Sequence, residues 1–103
     1  VKRSVTQAGL LRWAELSGDF NPLHVDEAYA ATTRYGGCIA HGHLVLTWVC
    51  DQAASVDPAW RRIEGLRFRA PVRPGRVYDV SGDRVITVTD QDGEVCVEAV
   101  LIV

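Results

Sequence analysis

The pattern of apolar and polar positions changes character near Asp57-Pro58, with helical spacing before it and two-residue alternation after it. Val1 to Val5 is a short β-prone run, and Thr6 is placed to cap a helix beginning at Gln7. From Gln7 to Leu16, Ala8, Leu11, Trp13, Ala14 and Leu16 recur at helical spacing, which predicts a short helix with one buried stripe. A loop from Ser17 leads to Asp26, which stands where an N-cap belongs, before the helix-forming run Glu27-Ala28-Tyr29-Ala30-Ala31. Tyr35-Gly36-Gly37 ends that helix. Leu44, Val45, Leu46, Trp48, Val49, Ala53 and Ala54 then leave few polar faces, so a helix buried nearly all round is expected. Its β-branched residues lower helix propensity, and burial has to hold it.

Beyond Pro58, Leu66, Phe68 and Ala70 alternate with Arg67 and Arg69, the pattern of a half-buried strand. Pro71-Val72-Arg73-Pro74-Gly75 reads as a turn, Val77 to Thr89 as one strand bent near Gly82, and Asp92-Gly93 as a hairpin turn before a strand over Glu94 to Val103. A short strand, short helices flanking a loop, one apolar helix and a meander of three long strands imply an α+β domain. Its antiparallel sheet wraps around the long helix in one layered core.

The length of 103 residues, 48% of them hydrophobic, fits a single domain over residues 1–103. So small a domain buries only roughly 60 to 65% of its unfolded surface, which makes association with another subunit an expectation. A formal charge of −2 gives no global attraction to nucleic acid or an anionic membrane. Six of the eleven basic residues, Arg61, Arg62, Arg67, Arg69, Arg73 and Arg76, nevertheless fall close together. They form either a strip for a phosphorylated ligand or a set of solvent-side arginines. Cys38, Cys50 and Cys96 show no paired spacing, as expected of reduced thiols in a cytoplasmic protein. No apolar run approaches the roughly 18 to 20 residues of a membrane span. The chain holds no methionine and opens at Val1, so further residues are expected to precede it.

Candidate chemistry concentrates in Ser17-Gly18-Asp19-Phe20-Asn21-Pro22-Leu23-His24-Val25-Asp26. Gly18 admits unusual backbone angles, Pro22 fixes its own φ, and Asn21 before proline is pushed out of the helical region. A rigid loop carrying a carboxylate and an imidazole can present both to one water molecule, the requirement of general acid–base chemistry. Asn21 is expected to hold the loop through its amide. Cys38, His41 and His43 lack metal-ligand spacing, so no metal is expected.

The same stretch, followed by Ile39-Ala40-His41-Gly42 and by Phe68-Arg69-Ala70-Pro71-Val72-Arg73-Pro74-Gly75, resembles the MaoC-like, hydratase 2 branch of hot dog fold proteins. The resemblance runs from about Trp13 to Gly75, with the motifs in the family's order. It implies a hot dog fold and reversible hydration of a trans-2-enoyl thioester of coenzyme A or acyl carrier protein to the (R)-3-hydroxyacyl thioester, without a cofactor. Asp19 and His24 match the catalytic pair; which is acid and which is base stays open. Gly42 matches the glycine whose N–H, at a helix N-terminus, stabilises enolate charge on the thioester oxygen. Ser17, Phe20, Asn21 and His41 are the candidate substrate contacts. Cys50 departs from the pattern, standing where a hydroxyl residue often supports the catalytic acid, so that support is expected to weaken or to come from Ser17. The short N-terminal segment departs too, and implies a minimal domain or an edge supplied by a partner. A homodimer or larger homo-oligomer is implied, and a heteromer is open. Two rival readings are an acyl-binding subunit without activity and a thioesterase of the same fold, in which Asp51 would be the residue to suspect.

Overall fold

The computed structural model describes residues 1–103. Thr6 caps α1 (Gln7–Ser17), its hydroxyl accepting from the Gly9 N–H at 3.0 Å, and Gly18 closes the helix in a left-handed conformation. The buried stripe is Leu10 and Ala14, with Trp13 half-buried; Ala8, Leu11 and Leu16 are exposed, which corrects the phase read from the sequence. The doublet Leu10-Leu11 offers two stripes at nearly equal spacing, and tertiary neighbours choose between them. The loop after Gly18 is partly helical as well: α2 (Pro22–Val25) starts on Asn21, whose side-chain oxygen accepts from the Leu23 N–H at 3.0 Å. Asp26 caps α3 (Glu27–Ala31) through the Tyr29 N–H, as its position predicts.

The long helix α4 (Gly42–Val56) is buried on one face, by Val45, Trp48, Val49 and Ala53. Its Gly42, His43, Thr47 and Ala54 are exposed in the single chain, so the expectation of burial all round is met on one side only. That face packs on a five-stranded antiparallel sheet of β1 (Lys2–Arg3), β2 (Arg62–Phe68), β3 (Tyr78–Ser81), β4 (Val85–Thr89) and β5 (Val95–Ile102), in the order β1-β3-β4-β5-β2. Tyr78 and Val80, Ile86 and Val88, and Val97, Ala99 and Leu101 supply the sheet's share of the core. The single bent strand expected over Val77 to Thr89 is two strands, paired Val80 to Val88. Gly82 makes the reversal at φ 108°, where a Cβ would stand 2.0 Å from the Val85 carbonyl oxygen. The Asp92-Gly93 turn is present, with Asp90 Oδ1 accepting from the Asp92 and Glu94 N–H groups.

Strand β2 lies at the sheet edge. Glu64 pairs with Val100 and Arg67 with Glu98, so β2 carries one extra residue at Gly65, φ 60°, the signature of a glycine bulge. Phe68 faces Val97 and shares its helix-side face, while Arg67 faces outward with Glu98. The alternation is therefore as predicted, but burial is not: Leu66 and Phe68 are 36% and 51% exposed. No helix is long and apolar enough to cross a membrane.

Candidate active site

Three segments meet at the N-terminus of α4. The first is the turn after α1, in which the Asp19 N–H donates to Ser17 Oγ at 3.2 Å and the Asn21 N–H donates to Asp19 Oδ1 at 3.1 Å. These local bonds explain the residue types: short polar side chains satisfy the backbone of a tight turn and leave the second carboxylate oxygen free. The second is α2, which carries His24. Its Nδ1 lies 2.8 Å from the Ile39 carbonyl oxygen, and because a carbonyl only accepts, Nδ1 carries the hydrogen and Nε2 presents a lone pair. The Gln7 amide donates to the His24 carbonyl oxygen at 3.0 Å and ties α1 to α2.

The third segment is His41-Gly42. His41 is 2% exposed, and its Nε2 donates to the Asp19 carbonyl oxygen at 3.0 Å. Its ring stacks on that of His24, with centroids 4.0 Å apart. His41 Nδ1 is buried without a hydrogen-bond partner. Burial holds the His41 pKa below its ordinary value, the bond to the Asp19 carbonyl opposes that shift, and the neighbouring His24 reinforces it. His41 is therefore a neutral ring that touches both members of the Asp19–His24 pair. The first N–H groups of a helix have no intrahelical acceptor, and α4 has no side-chain cap, so the Gly42 N–H points out of the helix unclaimed.

A carboxylate oxygen of Asp19 and one ring nitrogen each of His24 and His41 lie within 4.8 Å of one another. The set does not fit a cation. Rings 4.0 Å apart and tilted by 26° have planes that meet only about 8 Å from the ring centres, whereas a cation bound in an imidazole plane sits about 3 Å from its centre.

Two cavities open on this cluster. One, of about 380 Å³, is lined by His24 and Gly42 with apolar Ile39, Ala40, Val45 and Val72, and has Arg34 and Arg69 among its walls. The other, of about 570 Å³, is lined by Ser17, Asp19, His41 and Gly42 with Trp13, Leu46 and Leu66. Of the sequence candidates, Ser17, Asp19, His24, His41 and Gly42 thus come together. Phe20 is 54% exposed and Asn21 is spent on capping α2; neither lines a cavity. Asp51 is exposed and pairs with Arg3 at 3.4 Å, and Cys50 lines neither cavity. Burial raises the Cys50 thiol pKa. The Asp19 carboxylate takes its support from the Asn21 backbone, while Ser17 reaches only the Asp19 N–H.

The arginine strip is divided. Arg62, Arg69 and Arg76 are paired with Glu64, Glu98 and Asp92, and outside the strip the Arg34 guanidinium lies over the Tyr35 ring. Phe68 lines both cavities, although the sequence presents it as a strand residue at the head of the family-like stretch Phe68 to Gly75 and not as a site residue. Its alternation with arginines gives its face and nothing about its neighbour.

The chain matches the MaoC like domain model over residues 1–103. It is 32% identical over 83 residues to a 3-hydroxybutyryl-CoA dehydratase of Methylorubrum extorquens, covering 78% of this chain and 53% of that protein. It is 36% identical over 76 residues to an (R)-specific enoyl-CoA hydratase of Rhodospirillum rubrum, covering 71% and 53%. The chain thus spans about half the length of these curated relatives. A solved R-hydratase from Pseudomonas aeruginosa superposes with a TM-score of 0.77 at 31% identity, over 99% of this chain and 76% of that one. With the sheet, the long helix and the loop in these places, the chain belongs to the MaoC-like dehydratase family and has its hot dog fold.

Proposed function

We propose that the chain catalyses reversible addition of water to a trans-2-enoyl thioester of coenzyme A or acyl carrier protein, giving the (R)-3-hydroxyacyl thioester. The observation that carries this reading is the spacing of Asp19 and His24. A carboxylate oxygen of Asp19 and a ring nitrogen of His24 lie within 4.8 Å, close enough for one water with hydrogen bonds of about 2.8 Å to reach both side chains. The β-carbon of an enoyl thioester accepts a nucleophile only when charge is stabilised on the thioester oxygen, and Gly42 offers an N–H at the positive end of α4 for that charge. In hydration the water oxygen bonds to the β-carbon, one of the pair takes a proton from it, and a proton is delivered to the α-carbon. Names of the relatives, a dehydratase and a hydratase of CoA thioesters, support the same reaction in both directions.

The working form in this proposal is an oligomer of the chain. Edge strand β2 has no neighbour on its outer side, and it exposes Leu66 and Phe68 beside the cavities. The reaction is tested by following loss of the conjugated thioester absorbance of crotonyl-CoA. Asp19→Asn and His24→Ala are each expected to lower turnover by about a hundredfold or more while the circular dichroism spectrum is kept. Near-normal turnover in both variants would overturn the assignment.

A further inference from the structure

The two cavities share two lining residues, Gly42 and Phe68. His24 lines one cavity and Asp19 the other, and Gly42 and Phe68 stand where the two adjoin. A Cβ built on Gly42 would meet the far edge of the Phe68 ring, with Cζ at 3.3 Å and Cε2 at 3.7 Å. The backbone explains why the ring is there. The glycine bulge at Gly65 resets the alternation of β2, Phe68 comes to face the helix side opposite Val97, and the chain then turns away as the Arg69 and Ala70 N–H groups both donate to the Cys96 carbonyl oxygen. Phe68 is 51% exposed, so this ring is not a core residue that merely needs a hydrophobic neighbour.

We propose that Phe68 determines specificity by setting the width of the passage at Gly42, selecting enoyl thioesters unbranched at the α-carbon over those carrying an α-methyl group. The inference rests on Gly42 as the donor to the thioester oxygen. With the oxygen on that N–H, the carbonyl carbon lies in the passage and the α-carbon one bond beyond it, beside the ring. A substituent on the α-carbon would widen the substrate where Phe68 stands against Gly42. Lengthening the acyl chain adds atoms farther along and leaves the passage unaffected.

The test compares kcat/KM of the full chain and its Phe68→Ala and Phe68→Leu variants on crotonyl-CoA, its 2-methyl homologue and trans-2-octenoyl-CoA. One methyl group in an apolar contact is worth about tenfold or more in discrimination. Phe68→Ala is therefore expected to raise the ratio for the 2-methyl homologue against crotonyl-CoA by about tenfold, and Phe68→Leu by less, while the ratio for octenoyl-CoA moves by under about threefold. An unchanged 2-methyl ratio overturns the proposal. Equal movement of both ratios also overturns it, since that is general loosening. Titration with butyryl-CoA and 2-methylbutyryl-CoA reads the same preference as a ratio of dissociation constants without turnover. Absence of all hydration by the unmodified chain would sink the hydratase reading, and the titration would still decide the role of Phe68.

Discussion

His41→Phe separates the stability of this site from its activity. The substitution keeps a planar ring in a position that is 2% exposed, and so keeps the stack on His24, the kind of aromatic contact worth about 0.5 to 1.5 kcal/mol. It removes the bond from Nε2 to the Asp19 carbonyl oxygen, which costs about 0.5 to 1.5 kcal/mol. It also removes Nδ1, a buried nitrogen without a partner, and relieves a desolvation penalty of about 1 to 3 kcal/mol. The terms oppose one another, and the net change in stability is expected to be within about 1 kcal/mol. Activity has no such compensation. The remaining bonds of Asp19, to Ser17 and Asn21, lie within its own turn, so the His41 bond is what fixes that turn against α4. A displacement of about 1 Å at a reacting group costs up to about a hundredfold in rate, and a fall in kcat of about ten- to a hundredfold is expected. Urea unfolding and crotonyl-CoA hydration on the same preparation measure the two quantities. A variant that unfolds far more readily yet turns over normally per folded molecule would refute the reasoning.

Two other predictions concern the fold. The His41 imidazole titrates below its ordinary value because it is buried, so the unfolded chain binds a proton that the folded chain resists. Its contribution to stability is complete above the unfolded value near 6.5 and is lost as pH falls through the lower folded value; denaturation midpoints at pH 7 and pH 5 should differ less in His41→Phe than in the unmodified chain, and an equal difference would show that His41 is not the group responsible. Gly82→Ala forces a Cβ to 2.0 Å from the Val85 carbonyl oxygen at φ 108°, and should cost about 2 to 4 kcal/mol in urea unfolding; a loss under about 1 kcal/mol would mean that the β3–β4 turn rearranges freely.

What the sequence displayed was mostly local. Thr6, Gly18, Asn21 and Asp26 act on backbone groups within a few residues of themselves, and their chemistry predicts helix ends without knowledge of the rest of the fold. The reversal at Gly82 was hidden for a definite reason: the buried positions Tyr78, Val80, Ile86 and Val88 are all even-numbered, so the alternation runs through the turn without changing phase. Phe68 shows the other limit. Its alternation with Arg67 and Arg69 assigned it to the helix side of the sheet, but alternation tells which face a residue is on and nothing about what covers that face. The stack of His41 on His24, 17 residues apart in the chain, depends on how α2 meets α4 and leaves no mark in either segment.

That stack also explains why the loop proposed for acid–base chemistry would require the segment Ala40-His41-Gly42 and could not work as an isolated turn. Asp19 and His24 each satisfy part of their hydrogen bonding locally or against Ile39, which leaves their mutual spacing undetermined by the loop itself. His41 determines it, touching one residue through a carbonyl and the other through a ring face, and the next residue is the glycine whose N–H would receive the thioester oxygen. One short segment therefore sets three positions at once. Substitutions should accordingly sort by kinetic signature: Asp19→Asn and His24→Ala remove the chemical step, His41→Phe lowers kcat with folding retained, and Phe68→Ala alters the preference among substrates. A His41→Phe enzyme that loses affinity at unchanged kcat would place His41 in substrate binding and break this account of the site.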